Sequence, residues 1–244
     1  MLHLIIAFTL AGSIGALLGA AMLLAFPQDV RQRLLPFLVS YAVGTLLGSA
    51  FLCLIPTGLE KAPPQPFMAT MLAGIIAFFA LEKLILQRHS LTHAPEGSGS
   101  AGPLLLVGDA FHNFVDGVVI AAAFMTSVPL GMTVALAVIA HEIPQEIGEF
   151  AILLDNGYSR SKAFLLNTLS ATASVPGAIL AYFWLGRAEA LVPYMLALSA
   201  ASFVYIAAVD LIPSLHRDMK RGASVKQLAL LISGIGTIAA ISLA

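Results

Sequence analysis

Two short stretches, HNFVDG at residues 112–117 and HEIPQE at 141–146, set His112, Asn113 and Asp116 beside His141, Glu142, Gln145 and Glu146. Their surroundings are otherwise apolar and hold no Lys or Arg. Imidazole nitrogen, carboxylate oxygen and amide oxygen together make a ligand set for borderline divalent transition ions such as Zn²⁺, Fe²⁺ or Mn²⁺, whereas an all-oxygen set favours Mg²⁺ or Ca²⁺. Two histidines with Asp116 and either Gln145 or Glu142 would fill one tetrahedral or looser site. Asn113, Asp116 and Glu142 would hold a second ion close by. A structural ion asks for a closed, tight shell, and carboxamide ligands such as Asn113 and Gln145 suit an ion that must let go.

Such groups can meet only if helices place them on facing stripes. Asp109, His112 and Asp116 fall at i, i+3 and i+7, and Asn113 lies three before Asp116, so all four share one side of a helix. On the next segment His141, Gln145 and Glu149 step by four, with Glu142 three before Gln145 and Glu146 at the edge of the stripe. The TSVPLG connection is short, which makes the two helices antiparallel neighbours with polar stripes face to face. Pro144 has no N–H, frees the Ala140 carbonyl and is expected to kink its helix beside the cluster. Exposed backbone at membrane depth is tolerated against protein or a wet cavity, so a cavity is expected there.

The rest of the chain says where these helices sit. Of 244 residues, 59% are hydrophobic and 10% charged, against about 25% charged in soluble domains; the chain reads as an integral membrane protein embedded in a lipid bilayer. Its net charge of -1 and dispersed basic residues argue against a nucleic-acid partner. Cys53, the single cysteine, cannot form an intrachain disulfide and reads as a small packing residue. The N-terminal apolar run lacks a basic leader and is too long for a signal peptide, so it is expected to remain as a first span.

A helix needs roughly 20 apolar residues to cross a hydrocarbon core about 30 Å thick. On that measure the fold class is all-α, a polytopic membrane protein of eight transmembrane helices in a single domain over 1–244. The spans are expected at 4–26, 35–59, 67–87, 104–127, 130–154, 162–186, 192–214 and 226–243, with a cytoplasmic loop at 88–103 after the third. All twelve Lys and Arg except Lys61 and Arg187 fall in or beside alternate loops, which by the positive-inside rule puts that face in the cytoplasm and both termini outside it. Gly15 and Gly19, and Gly44 and Gly48, make small-xxx-small patterns for close helix contact. CLIPTGLEK at 53–61 and DLIPSLHR at 210–217 match in outline, which suggests an inverted repeat.

Asp109, Asp116, Glu142, Glu146, Glu149 and Asp210 fall within spans. Each carboxylate at bilayer depth is unfavourable by on the order of 2.5 to 3.5 kcal/mol. An acidic core without basic partners needs protons or a cation. Not every polar residue belongs to it. Asp210 stands alone in its span and fits a hydrogen bond to Tyr205 or a neighbouring helix as well as contact with an ion. Asn167 and Ser170 read as interhelical glue that could complete a coordination shell. His89 and His93 lie in a Ser/Gly/Pro-rich loop, where metal capture and a plain flexible linker compete; His3 and His216 read as interfacial.

HNFVDG followed by HEIPQEIGEFAILL, in an eight-span chain with a His-containing loop after the third span, resembles the ZIP (Zrt/Irt-like) family of divalent metal transporters. AFLCLIP, FFALEKL and SFVYIAAVDLIP extend the likeness along nearly the whole chain. The HEIPxEIGxF form is similar to the branch holding intracellular zinc transporters of animals and their bacterial relatives. The resemblance implies a 3+2+3 helix arrangement, no enzymatic activity, no cofactor, and zinc or a related divalent metal carried as substrate toward the cytoplasm. It implies one ion on His112, Asp116, His141 and Gln145 and a neighbour on Asn113, Asp116, Glu142 and Gln145. Asp109, Glu146, Glu149, Asn167, Ser170 and Asp210 would line the pathway. It also implies a homodimer whose fixed wall the central helices slide against, and the inner membrane of a bacterial cell. Gln145 replaces the His or Glu often found there, and Glu149 stands where Asp is frequent.

Two rival functions would use the same residues. HEIPQ begins like the metalloprotease motif HExxH, but Gln145 stands where the second His must be. A proton-coupled carrier of a non-metal cation would use the same acids as a relay without metal.

Overall fold

The structure, a computed structural model, describes residues 1–91, 101–155, 157–216 and 223–242. Every regular element among them is helical: α1 (Leu2–Ala25), α2 (Gln28–Gly48), α3 (Ile55–Lys61), α4 (Pro64–Leu91), α5 (Ala101–Thr126), α6 (Val128–Asp155), α7 (Arg160–Ala171), α8 (Ser174–Leu185), α9 (Val192–Tyr205), α10 (Ile212–His216) and α11 (Ala223–Ser242). Eight stretches among the described residues are long and apolar enough to cross a membrane. The chain is an all-α, multi-pass integral membrane protein. α4 runs on to Leu91 and α5 begins at Ala101, so both ends of the expected 88–103 loop are helical.

The second and seventh spans are each interrupted by a π-helical segment, Ser49–Leu54 and Ile206–Leu211. Both end one residue before an Ile-Pro pair. A helical proline lacks its N–H, and its ring presses on the carbonyl four residues back; widening the preceding turn relieves that contact. The same bond results twice, Ile55 N–H to Ala50 O and Ile212 N–H to Ala207 O.

Packing carries the repeat further. α5 packs on α8 and α1 on α6, while α2 packs on α11 and α4 on α9. Exchanging spans one to three with six to eight, and four with five, converts each of these contacts into another of them, as an inverted repeat requires.

The sixth span differs from expectation, because two helices, α7 and α8, meet at Thr172 and Ala173. Pro176, in the first turn of α8, cannot donate to the carbonyl of Thr172, and the ladder breaks there. Ser13 of α1 closes the gap: its Oγ lies 3.1 Å from the Ala171 carbonyl and 2.8 Å from Ser174 Oγ.

Close crossings hold the site-bearing helices. A Cβ on Gly117 would fall on the Ser174 carbonyl, and one on Gly177 on the Phe114 carbonyl, so α5 and α8 touch backbone to backbone just after Asp116. Gly44 approaches Leu231 in the same way, and a Cβ on Gly19 would lie 3.0 Å from Ile143 Cδ1, whereas one on Gly15 would meet nothing within 4 Å. Ser127 alone separates α5 from α6, and its Oγ accepts from Leu130 N–H at 3.3 Å, which fixes the two polar stripes side by side.

Candidate metal centre

The stripes on α5 and α6 do meet. Asp116, His141 and Glu142 are almost wholly buried, and the His112 side chain is 20% exposed. His112 Nε2 lies 3.2 Å from His141 Nε2, 3.6 Å from Asp116 Oδ2 and 3.4 Å from Glu142 Oε1. His141 Nε2 lies 3.3 Å from Asp116 Oδ2 and 3.5 Å from Glu142 Oε1. A regular tetrahedron with edges of about 3.4 Å has its centre about 2.1 Å from each corner, the length of a bond from Zn²⁺ to nitrogen or oxygen. Among the described residues these four form a group whose donor atoms can hold one metal ion.

Local structure prepares the donors. His141 Nδ1 lies 3.0 Å from the Ala137 carbonyl one turn back. A carbonyl only accepts, so Nδ1 carries a hydrogen and Nε2 is the nitrogen turned toward the cluster. The Phe203 ring of α9 stands edge-on to His141, with centroids 6.2 Å apart. Both Asp116 oxygens and Glu142 Oε1 are buried without a hydrogen-bond donor. Two carboxylates and two imidazole nitrogens converge with no Lys or Arg ion pair among the described residues, a charge that a divalent cation neutralises.

Gln145 and Asn113 turn elsewhere. Gln145 Nε2 donates to Asp109 Oδ1 at 3.1 Å and Glu149 Oε1 at 3.3 Å, and Asn113 Nδ2 donates to Asp109 Oδ1 at 3.0 Å. Their amide nitrogens thus serve a second group, Asp109 with Glu149, one turn along both helices. Of Gln145 and Glu142, the alternatives in the sequence, Glu142 places Oε1 within 3.4–3.5 Å of both histidines, while Gln145 places its amide nitrogen on Asp109 and Glu149.

Glu146 faces a third direction. Asn167 of α7 donates to its Oε2, and both residues line a cavity of about 600 Å³ between α1, α6 and α7, with Leu17, Ala21 and Phe150 on its walls. α6 stays helical through Pro144, with this cavity beginning two residues further on. Ser170 bonds to carbonyls of its own helix, Leu166 at 3.4 Å and Asn167 at 3.1 Å. Cys53 is buried and free. His93 lies outside the described residues, as do the side chains of His89 and Asp210; His89 falls within α4 and Asp210 within the second π segment. Phe203 and the Ser13–Ser174 contact come from distant parts of the chain, and nothing in their local sequence marks them.

Fold and site together define a class: a polytopic helical membrane protein whose two central helices enclose a buried histidine and carboxylate cluster of metal-ligand geometry. The model of the family described as ZIP Zinc transporter matches residues 88–242. Zinc transporter foi of Drosophila melanogaster is 36% identical over 173 residues, 66% of this chain and 24% of that protein. Zinc transporter ZIP13 of Pongo abelii is 34% identical over 176 residues, 71% of this chain and 52% of that protein. Human zinc transporter ZIP6 is 38% identical over 136 residues, 53% of this chain and 18% of that protein. The chain belongs to the ZIP family. It spans about half or less of these relatives' length.

Proposed function

We propose that the protein carries divalent transition-metal ions, zinc foremost, across a membrane toward the face that holds most of its Lys and Arg, the cytoplasmic one. The ion is substrate, not cofactor. His112, Asp116, His141 and Glu142 hold it midway along α5 and α6, and Asp109, Glu146, Glu149, Asn167, Ser170 and Asp210 line its route. The observation that carries this reading is the set of five separations of 3.2–3.6 Å among four donor atoms that have no Lys or Arg partner among the described residues. Two imidazoles favour Zn²⁺ and tolerate Fe²⁺, Mn²⁺ or Cd²⁺, and a site formed by two facing helices can open when they part. On the charge count both termini lie outside the cytoplasm. The relatives' names support a transporter in place of an enzyme, and Gln145 at the second histidine position of HExxH deprives a protease of its ligand. A homodimer in a lipid bilayer completes the reading.

Uptake of radioactive zinc into proteoliposomes, with Mn²⁺, Fe²⁺ and Cd²⁺ as competitors, tests the proposal. Saturable zinc entry that the other ions reduce supports it. A protein that moves no metal while remaining folded removes it.

A further inference from the structure

The two histidines of the metal centre are held differently. His141 Nδ1 donates to the Ala137 carbonyl at 3.0 Å, which leaves the ring free to rock about that bond. The Phe203 ring of α9 stops the rocking: it meets the imidazole in a T-shaped contact, with centroids 6.2 Å apart and planes at 63°. Among the described residues His112 has no such brace, and its one ring contact is with His141 itself. The His112 side chain is 20% exposed and that of His141 1%, so the centre is open at one histidine and shut at the other. Phe203 is itself wholly buried and carries no atom that binds a metal. We propose that Phe203 is a positioning and selectivity residue of the metal centre, which holds the His141 imidazole on the ion and keeps water from that side. This rests on the metal-transport reading.

The consequence is a choice between ions. Four protein donors in a tetrahedron satisfy Zn²⁺. Mn²⁺ asks for an octahedral shell of oxygen, and at this centre it would have to keep water as its extra ligands. The apolar wall around a metal controls the access of solvent to it. Water can approach on the His112 side, but the side at His141 has no room for it while the Phe203 ring stands there. Selectivity built in this way penalises the wrong ion without adding a contact to the right one. Truncating Phe203 to Ala would leave a void bordered by the polar edge of the cluster, where water finds partners. His141 would then swing more freely, and the shell around the ion would expand.

Two measurements on the purified full chain read these effects: the visible spectrum of bound Co²⁺, intense for a tetrahedral shell and weak for an octahedral one, and competition by Mn²⁺ against zinc uptake into proteoliposomes. Phe203→Ala should weaken the cobalt bands at least about threefold and lower the excess of Mn²⁺ that halves zinc uptake at least about tenfold. Phe203→Leu keeps an apolar side chain in place and should stay within about twofold of the wild type on both. If Phe203→Ala does not fold, Phe203→Val carries the test, with a drop of at least about threefold in that Mn²⁺ excess. Phe124, equally buried and 5.1 Å from the Phe8 ring, supplies the structural control: Phe124→Ala should lower the thermal midpoint and leave the bands and the competition unchanged. Bands and competition that stay put in the truncated Phe203 variant overturn the role of Phe203 and leave the transport reading intact. The same follows if Phe124→Ala shifts them equally, or if Phe203→Leu is as impaired as Phe203→Ala. Absence of intense bands from the wild type overturns the transport reading itself.

Discussion

His112 and His141 point their Nε2 atoms at each other across 3.2 Å, from two helices that Ser127 alone separates. Two ring nitrogens so placed face two carboxylate oxygens at 3.3–3.6 Å. One ring donates to the other in a hydrogen bond whose direction the tautomers set, and the proposed cation would take that hydrogen's place between them.

Removing a donor that touches the ion should abolish transport without unfolding the protein. Asp116→Asn and His141→Ala should each lower zinc accumulation in cells by at least about tenfold, the lower end of what altering even an outer partner of a ligand does. Membrane fractionation should find both variants inserted at wild-type levels. Normal accumulation in both would withdraw the ligand assignment.

The converging donor on α6 is Glu142, and Gln145 is spoken for by Asp109 and Glu149. Glu142→Gln should therefore weaken the first zinc ion at least about tenfold, and Gln145→Ala should change it by less than about threefold. Zinc titrations of the two purified variants compare them directly. A larger loss from Gln145→Ala would return the fourth position to Gln145.

That distinction marks the limit of what the sequence could say. The eight spans and the two polar stripes were legible, because apolar run length and three-to-four spacing depend on neighbours along the chain. Glu142 and Gln145 share a stripe, so only the rotation of α6 about its axis against α5 decides which one reaches His112. Phe203 beside His141 depends on how α9 docks and has no local mark. The break at Thr172 had one in Pro176, which the apolar run around it concealed. The LIP repeats were three matching letters until the twin π segments gave them a structural meaning.

Metal must displace protons from its ligands, so acid should oppose binding. Imidazole binds metal as the neutral base, and carboxylates bind it ionised. Lowering pH adds protons to both kinds of donor and cannot strengthen either. Zinc affinity should thus fall as pH is lowered from about 7.5 to about 5.5, by about tenfold per unit for each proton displaced. Calorimetric titrations at several pH values in buffers of different ionisation heat would count those protons. An affinity flat across the window would contradict a histidine-ligated ion.

The α5–α8 crossing ties the metal centre to the stability of the bundle. Gly117 follows the ligand Asp116 and leaves no room for a side chain against the Ser174 carbonyl. Packing in this interior is close to solid, and an inserted group must push the helices apart. Gly117→Val should destabilise the folded protein by about 1–3 kcal/mol and shift Asp116 out of line with His141. Gly15, in mid-helix with nothing within 4 Å of its Cβ position, should accept Ala with no loss and a gain of up to about 1 kcal/mol. Thermal unfolding in detergent, followed by size-exclusion recovery with and without zinc, compares the two. Saturating zinc should raise the midpoint of Gly15→Ala as it does that of the wild type, since ligand binding to the folded state adds stability. It should raise that of Gly117→Val less, because the displaced Asp116 binds the ion more weakly. Equal zinc shifts in both would show that the crossing stabilises the fold without aligning the ligand.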